Sequence, residues 1–246
     1  MKYAIISDVH SNYNALICCI EKLKEENVDK IFCCGDIVGY CAEPNECIEV
    51  FKKEKIFSVL GNHDAALLDI LELDFFNHDA KEAIIINKSL ITQENIEFLK
   101  SIKQKEVFED ILFVHGSIED PLIEYLDNIY LLRRNIKFLK QNLCFCGHTH
   151  RPFVYSYDLN NQKEDLKIPN TKIFKFEIEN NKRYIINVGA VGQPRDGDNR
   201  ACVVVYDKEN SVVEFKRIKY NVFYSQQKMV ELKIPEFLIK RLEFGE

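Results

Sequence analysis

The chain has 246 residues, a formal net charge of −6 and nine cysteines. That length supports one large core and no Pro/Gly/Ser-rich linker divides it, so a single domain over residues 1–246 is expected. The acidic balance without a dense Lys/Arg run argues against a nucleic-acid polymer as partner. No apolar run nears the roughly eighteen residues of a membrane span, and an odd number of cysteines set in apolar runs fits a reducing, cytoplasmic compartment.

Lys2 to Ser7 is a short β-prone run that stops at Asp8-Val9-His10-Ser11-Asn12, after which Leu16, Ile17, Ile20 and Leu23 recur at helical spacing. Between Lys2 and Asp8 only Ala4-Ile5-Ile6 is strongly apolar, too short for a secretory core. The strand, loop, helix pattern repeats. Lys30 to Cys34 ends at Gly35-Asp36 before a helix over Glu43 to Lys53, and Ile56 to Leu60 ends at Gly61-Asn62-His63-Asp64. Three successive strands thus end in polar clusters, and in open α/β sheets ligands gather outside such carboxyl ends. Thr92 to Ile102 reads as a helix capped by Thr92, and Val107–Phe108 with Ile111–Val114 as a hairpin delivering His115-Gly116. Leu131 to Asn142 reads as a helix and Leu143 to Cys146 as a strand ending in Gly147-His148-Thr149-His150. From Phe153 onward strands dominate. A hairpin tip is expected at Asn180-Asn181, between Ile173–Ile178 and Arg183–Val188, and another turn at Lys208-Glu209-Asn210. Cys144 and Cys146 read as buried core thiols rather than a metal pair.

Of six histidines, five stand in the polar clusters and His78 alone does not. In Asp8-Val9-His10 an extended chain directs both side chains to one side, so a carboxylate and an imidazole can share a cation; His148-Thr149-His150 has the same spacing. Asp36 follows the small Gly35 and can bridge two cations, which makes it the natural central ligand. With Asn62 and His115 the count reaches seven ligating side chains, enough for two divalent metals if Asp36 is shared. Two dications bring about +4 and two aspartates about −2, so the site attracts phosphate. A metal pair can polarise phosphoryl oxygens and supply a bridging hydroxide at neutral pH. His63 is expected to face the leaving oxygen, with Asp64 fixing its tautomer or simply capping the next helix.

These blocks, DVH at 8–10, GD at 35–36, GNHD at 61–64, HG at 115–116 and GHTH at 147–150, resemble the calcineurin-like metallophosphoesterase superfamily. The resemblance implies two packed, mixed β-sheets with helices on the outer faces, an α/β four-layer sandwich. It also implies one metal on Asp8, His10, Asp36 and His150, a second on Asp36, Asn62, His115 and His148, and His63 as the catalytic histidine. Manganese comes first, with iron, zinc, cobalt or nickel also suited to these ligands. The segment Asn187 to Arg195 resembles the compact bacterial phosphodiesterase and dinucleoside-polyphosphatase branch, so hydrolysis of phosphodiester or phosphomonoester bonds is expected, diesters favoured, with nucleotides and dinucleoside polyphosphates as candidate substrates. There Arg195 or Arg200 could grip a phosphate, surface ion pairing being the other reading of both. The expected partner is a small phosphate ester rather than a membrane or nucleic acid. Two rivals remain: a serine/threonine protein phosphatase, disfavoured because no arginine lies between Asp36 and Asn62, and a non-catalytic scaffold of the same fold.

Overall fold

The computed structural model describes residues 1–169 and 173–246. In chain order, β1 (Lys2–Ile6), α1 (Tyr13–Glu25), β2 (Lys30–Cys33), α2 (Pro44–Glu54), β3 (Phe57–Ser58) and α3 (Asn62–Leu67) make the expected alternating series. A 3-10 turn at Leu73–Phe75 leads into α4 (His78–Leu90) and α5 (Gln93–Lys100), followed by a hairpin of β4 (Lys105–Phe108) and β5 (Ile111–Val114). Next come α6 (Ile129–Asn135), β6 (Leu143–Cys146), β7 (Phe153–Asp158), β8 (Glu164–Lys167) and β9 (Ile173–Glu177). Then β10 (Lys182–Asn187), β11 (Ala201–Asp207) and β12 (Val212–Ile218) precede α7 (Val222–Glu231) and α8 (Glu236–Phe244). No helix among the described residues is long and apolar enough to cross a membrane.

The strands build two six-stranded mixed sheets, ordered β3-β2-β1-β11-β12-β9 and β4-β5-β6-β10-β7-β8. Alternation along each strand explains how they stack, since successive side chains point to opposite faces. Tyr3, Ile5, Phe32, Phe113, Phe145, Ile186 and Val204 meet between the sheets. Ala4, Ile6, Cys33, Val203 and Val205 turn outward onto Leu16 and Ile20 of α1 and Ile48 and Phe51 of α2. On the second sheet, Leu112, Val114, Cys144, Cys146 and Tyr155 turn outward onto Leu132 of α6 and the following Ile136. The result is the expected four-layer arrangement of two mixed sheets flanked by helices. Burial pushes the Cys144 and Cys146 thiols up, as befits core groups rather than ligands.

Local chemistry sets the helix starts. Asn12 accepts from the Ala15 N–H at the head of α1, and Thr92 accepts from the Asn95 N–H at the head of α5. The helix expected over Leu131 to Asn142 is shorter, because Asn128 caps it early and the chain tightens into i→i+3 turns after Asn135. Those turns press Ile136 and Leu139 onto the second sheet.

One expected hairpin is absent. The turn at Asn180-Asn181 exists, but β9 pairs with β12 in the first sheet while β10 lies between β6 and β7 in the second. Both edges of β10 are taken, so the turn carries the chain from one sheet to the other. The Lys208-Glu209-Asn210 turn does join a hairpin, β11 to β12.

In the first sheet β1, β2 and β3 run parallel, and in the second β5, β6 and β10 do. The loops after all six emerge at one edge of the sandwich, and every metal-binding candidate lies on five of them.

Candidate metal centre

The loop backbones are unusual where the ligands sit. Asp8, His10, Ser11, Asp36, His148 and His150 all have φ between 50° and 67°, the left-handed region that non-glycine residues avoid. Asp8 and His10 therefore converge through left-handed turns and not through the extended chain expected from their spacing; the same holds for His148 and His150. Each such residue costs about 1–2 kcal/mol. Hydrogen bonds hold the geometry: the N–H groups of Asp8, His10 and Ser11 donate to the carbonyls of Gly35, Asp36 and Ile37, locking the first two loops together. The sheets are locked to each other by the His148 N–H, which donates to Asp8 Oδ2 at 3.1 Å.

Close approach also requires glycine at two positions. A Cβ on Gly61 would stand 2.1 Å from Asp36 Oδ1, and one on Gly147 would stand 2.4 Å from Asp8 Oδ2.

The donor atoms fall into two sets. In the first, atoms of Asp8, His10, Asp36 and His150 all lie within 4.8 Å of one another, with His10 Nε2 3.1 Å from His150 Nε2. In the second, His115 Nε2 lies 2.8 Å from Asn62 Oδ1, 3.0 Å from His148 Nδ1 and 3.3 Å from Asp36 Oδ2. Asp36 Oδ2 also stands 3.4 Å from His10 Nε2, so one carboxylate oxygen faces both sets. Its other oxygen accepts the His63 N–H at 2.9 Å, which fixes the rotamer. All seven side chains are buried, Asn62 being the most exposed at 7%.

Protonation tests whether these residues fit cations. His115 Nδ1 faces the Cys34 carbonyl at 2.8 Å, His148 Nε2 the Ile123 carbonyl at 3.1 Å, and His150 Nδ1 the Gln193 carbonyl at 2.5 Å. A carbonyl only accepts, so those nitrogens carry the protons and the opposite nitrogens of the neutral rings aim lone pairs inward. His115 Nε2 then meets three acceptors: an amide oxygen, a carboxylate oxygen and an imidazole lone pair. With no cation bound, a proton fills that role. Burial lowers His115, but Asp36 and Asp8 outweigh it and raise the group to about 9. Burial and the charge on His115 push its neighbour His148 down to about 3. Burial opposes ionisation of Asp36 as well, yet His115, His63 and His10 hold it well below the usual carboxylate range. Convergent, buried O and N donors that recruit a proton suit divalent cations.

His63 sits beside the centre, its ring 4.7 Å from that of His10, 4.4 Å from Tyr40 and 5.0 Å from Phe76. Asp64 does not orient it. The Asp64 carboxylate instead accepts the N–H groups of Val38 and Gly61, both at 3.0 Å, while His63 Nδ1 has no partner. Asp64 at the third position of α3 reaches back to the residue before the helix, so both of its oxygens are committed to backbone. Asp64 thus takes the capping place that its sequence position also allowed, and aromatic packing holds His63 in place.

The family description "Calcineurin-like phosphoesterase superfamily domain" matches residues 1–211, which include all five motif blocks. The chain belongs to this superfamily. An uncharacterized protein of Methanocaldococcus jannaschii is 38% identical over 247 residues, covering 98% of this chain and 97% of that one. The crystal structure of a metallophosphoesterase from Sphaerobacter thermophilus is 37% identical and superposes with a TM-score of 0.86, over 100% of this chain and 99% of that one. A hypothetical protein of Pyrococcus horikoshii OT3 shares the fold at 20% identity and a TM-score of 0.78, over 100% and 98% of the two chains.

Superfamily membership implies divalent metal ions, and the cluster has the donors to hold them. The sequence could not show three of the groups that orient the ligands, because the carbonyls of Cys34, Ile123 and Gln193 belong to the backbone. Tyr125 packs its ring 3.7 Å from His148 yet stays 42% exposed at the rim. Arg200 pairs with Asp198, and His78 lies on the surface at the start of α4.

Proposed function

We propose that the protein is a two-metal hydrolase of small phosphate esters. The observation that carries this reading is the single oxygen, Asp36 Oδ2, facing two donor sets at 3.4 and 3.3 Å. Asp8, His10, Asp36 and His150 would hold one cation, and Asp36, Asn62, His115 and His148 the other; manganese is the first to try. Bound there, the pair would supply Lewis-acid polarisation of the phosphoryl group and an activated water.

The chain's own groups do the rest. In hydrolysis the water oxygen bonds to phosphorus, the ester P–O bond breaks, and the leaving oxygen needs a proton. His63 would serve that oxygen. Burial lowers its ring to about 4, so it is neutral at pH 7 and offers an imidazole N–H; a bound phosphate raises its basicity toward the range useful for proton transfer. Tyr40, Phe76 and Tyr125 surround the centre with rings that limit water around the leaving group. The recessed ligands favour a small ester over a phosphoserine on a folded protein.

The test is hydrolysis of p-nitrophenyl phosphate and bis-p-nitrophenyl phosphate by metal-stripped protein with manganese, iron, zinc, cobalt or nickel restored. Metal-dependent turnover is expected. Asp36→Ala should abolish it, and His63→Ala should lower kcat on the order of 10²- to 10⁴-fold while both metals still bind. Bound metals with both esters left intact would point to a scaffold.

A further inference from the structure

Arg195 is a cation without a counterion. Among the described residues no carboxylate lies within 4.0 Å of the Arg195 guanidinium; Arg151 and Arg183 make no such pair either, but Arg195 alone of the three has a buried side-chain nitrogen left without a partner. The surface ion pairing that its sequence position also allowed is not made. Its Nη2 donates to the Tyr40 hydroxyl at 3.1 Å and to Gln193 Oε1 at 3.3 Å, and the guanidinium stands 5.4 Å from the centre of the Tyr40 ring. Its Nε is buried with no hydrogen-bond partner. Two residues earlier, the wholly buried Gln193 leaves its Nε2 without a partner too. Buried donors are normally satisfied, and two idle ones on one loop call for an acceptor.

That loop is tied to the metal centre. His150 Nδ1 donates to the Gln193 carbonyl at 2.5 Å and the Arg195 N–H to the His150 carbonyl at 3.2 Å. Tyr40, under the guanidinium, packs 4.5 Å from the His10 ring and 4.4 Å from His63. The idle donors therefore sit beside the first donor set, on the side where His63 stands. A guanidinium next to a cluster suited to dications is repelled unless an anion lies between them.

The number of terminal oxygens decides which anion. A phosphodiester has two and carries one negative charge; a phosphomonoester has three and carries up to two. An extra cationic fork with an amide beside it serves the additional oxygen and charge, and planar guanidinium geometry matches a phosphoryl edge. We infer that Arg195 and Gln193 form a receptor for the third terminal oxygen of a phosphoryl group, so that the substrates are monoesters or other compounds ending in phosphate. This rests on the hydrolytic reading proposed above and reverses the diester preference expected from the branch resemblance.

Two measurements test it on manganese-loaded protein. The first is calorimetric binding of inorganic phosphate and of dimethyl phosphate to the wild type, Arg195→Gln and Arg195→Lys, with metal content checked in each. The second is kcat/KM for p-nitrophenyl phosphate and its bis ester. The wild type should bind phosphate at least tenfold more tightly than dimethyl phosphate and prefer the monoester. Arg195→Gln should weaken phosphate binding on the order of 10- to 100-fold and lower the monoester-to-diester ratio about tenfold, with Arg195→Lys in between. Equal losses on both esters, or equal binding of both anions by the wild type, would overturn the receptor and leave the hydrolase standing. Phosphate binding that depends on Arg195 without turnover of either ester would keep the receptor and sink the hydrolase, and neither binding nor turnover would sink both.

Discussion

Asp36 Oδ2 faces His10 Nε2 and His115 Nε2 at nearly equal distances, so one substitution there acts on both halves of the centre. Asp36→Asn keeps the shape but removes the shared charge; metal analysis after dialysis should fall from about two equivalents toward one or none. His10→Ala, which touches one donor set, should leave close to one equivalent. Proton linkage gives a second check at the same scale. Because His115 is raised to about 9 with no cation bound, a metal must displace its proton below that pH. Apparent metal affinity should therefore rise with pH up to about 9 and fall on acidification. Calorimetry in buffers of different ionisation enthalpy at pH 7 should detect about one proton released; no release would mean that His115 is neutral beforehand.

At the scale of elements, the centre depends on loops leaving parallel strands and on how tightly they approach one another. The turn into α3 passes against the turn after β2, where a Cβ on Gly61 would stand 2.3 Å from the Asp36 nitrogen. Gly61→Ala should cost about 1–3 kcal/mol in urea unfolding and also reduce metal binding, since the atoms that must yield belong to the shared ligand. The segment 65–91 acts through the loop after β2. Asn87 on α4 accepts the Gly39 N–H at 3.2 Å and donates to the Cys41 carbonyl at 2.8 Å, thereby fixing Tyr40 beside His10 and His63. The segment 118–130 contributes through the Ile123 carbonyl on His148 and through Tyr125 at the rim.

For the whole molecule, the metals would add to the apolar core and the His148–Asp8 hydrogen bond that already join the two sheets, because Asp8, His10, Asp36 and Asn62 come from the first and His115, His148 and His150 from the second. Cation binding should thus stabilise the sandwich as a unit. Free metal at about a hundred times its dissociation constant contributes about 2.7 kcal/mol, which for a chain of this size raises Tm by about 5–10 °C. A thermal scan with and without chelator reads this directly, and an unchanged Tm would show that the donors do not bind metal in the folded state.

Much of this was legible in the sequence because it is local. Short apolar runs marked Lys2 to Ser7, Ile111 to Val114 and Leu143 to Cys146 as strands, and Asp, Asn and His at strand ends marked the donors whichever way the backbone turned. What depends on atoms distant in sequence was not legible. The left-handed turns at Asp8 and His148, the carbonyls that set the imidazole tautomers, and the commitment of Asp64 to Val38 and Gly61 exist only once loops from two sheets are pressed together. The crossing at Asn180-Asn181 is of the same kind: a turn signal specifies that the chain reverses, but strand partners depend on which sheet edges are already taken. The sequence by itself singled out the seven candidate donor side chains, and its resemblance to the superfamily implied the two-sheet fold that collects them. Tertiary structure alone decided how close those donors stand, which of them carry protons, and that Arg195 stands beside them without a counterion, because each of these is set by distances between groups that the chain does not bring together until it folds.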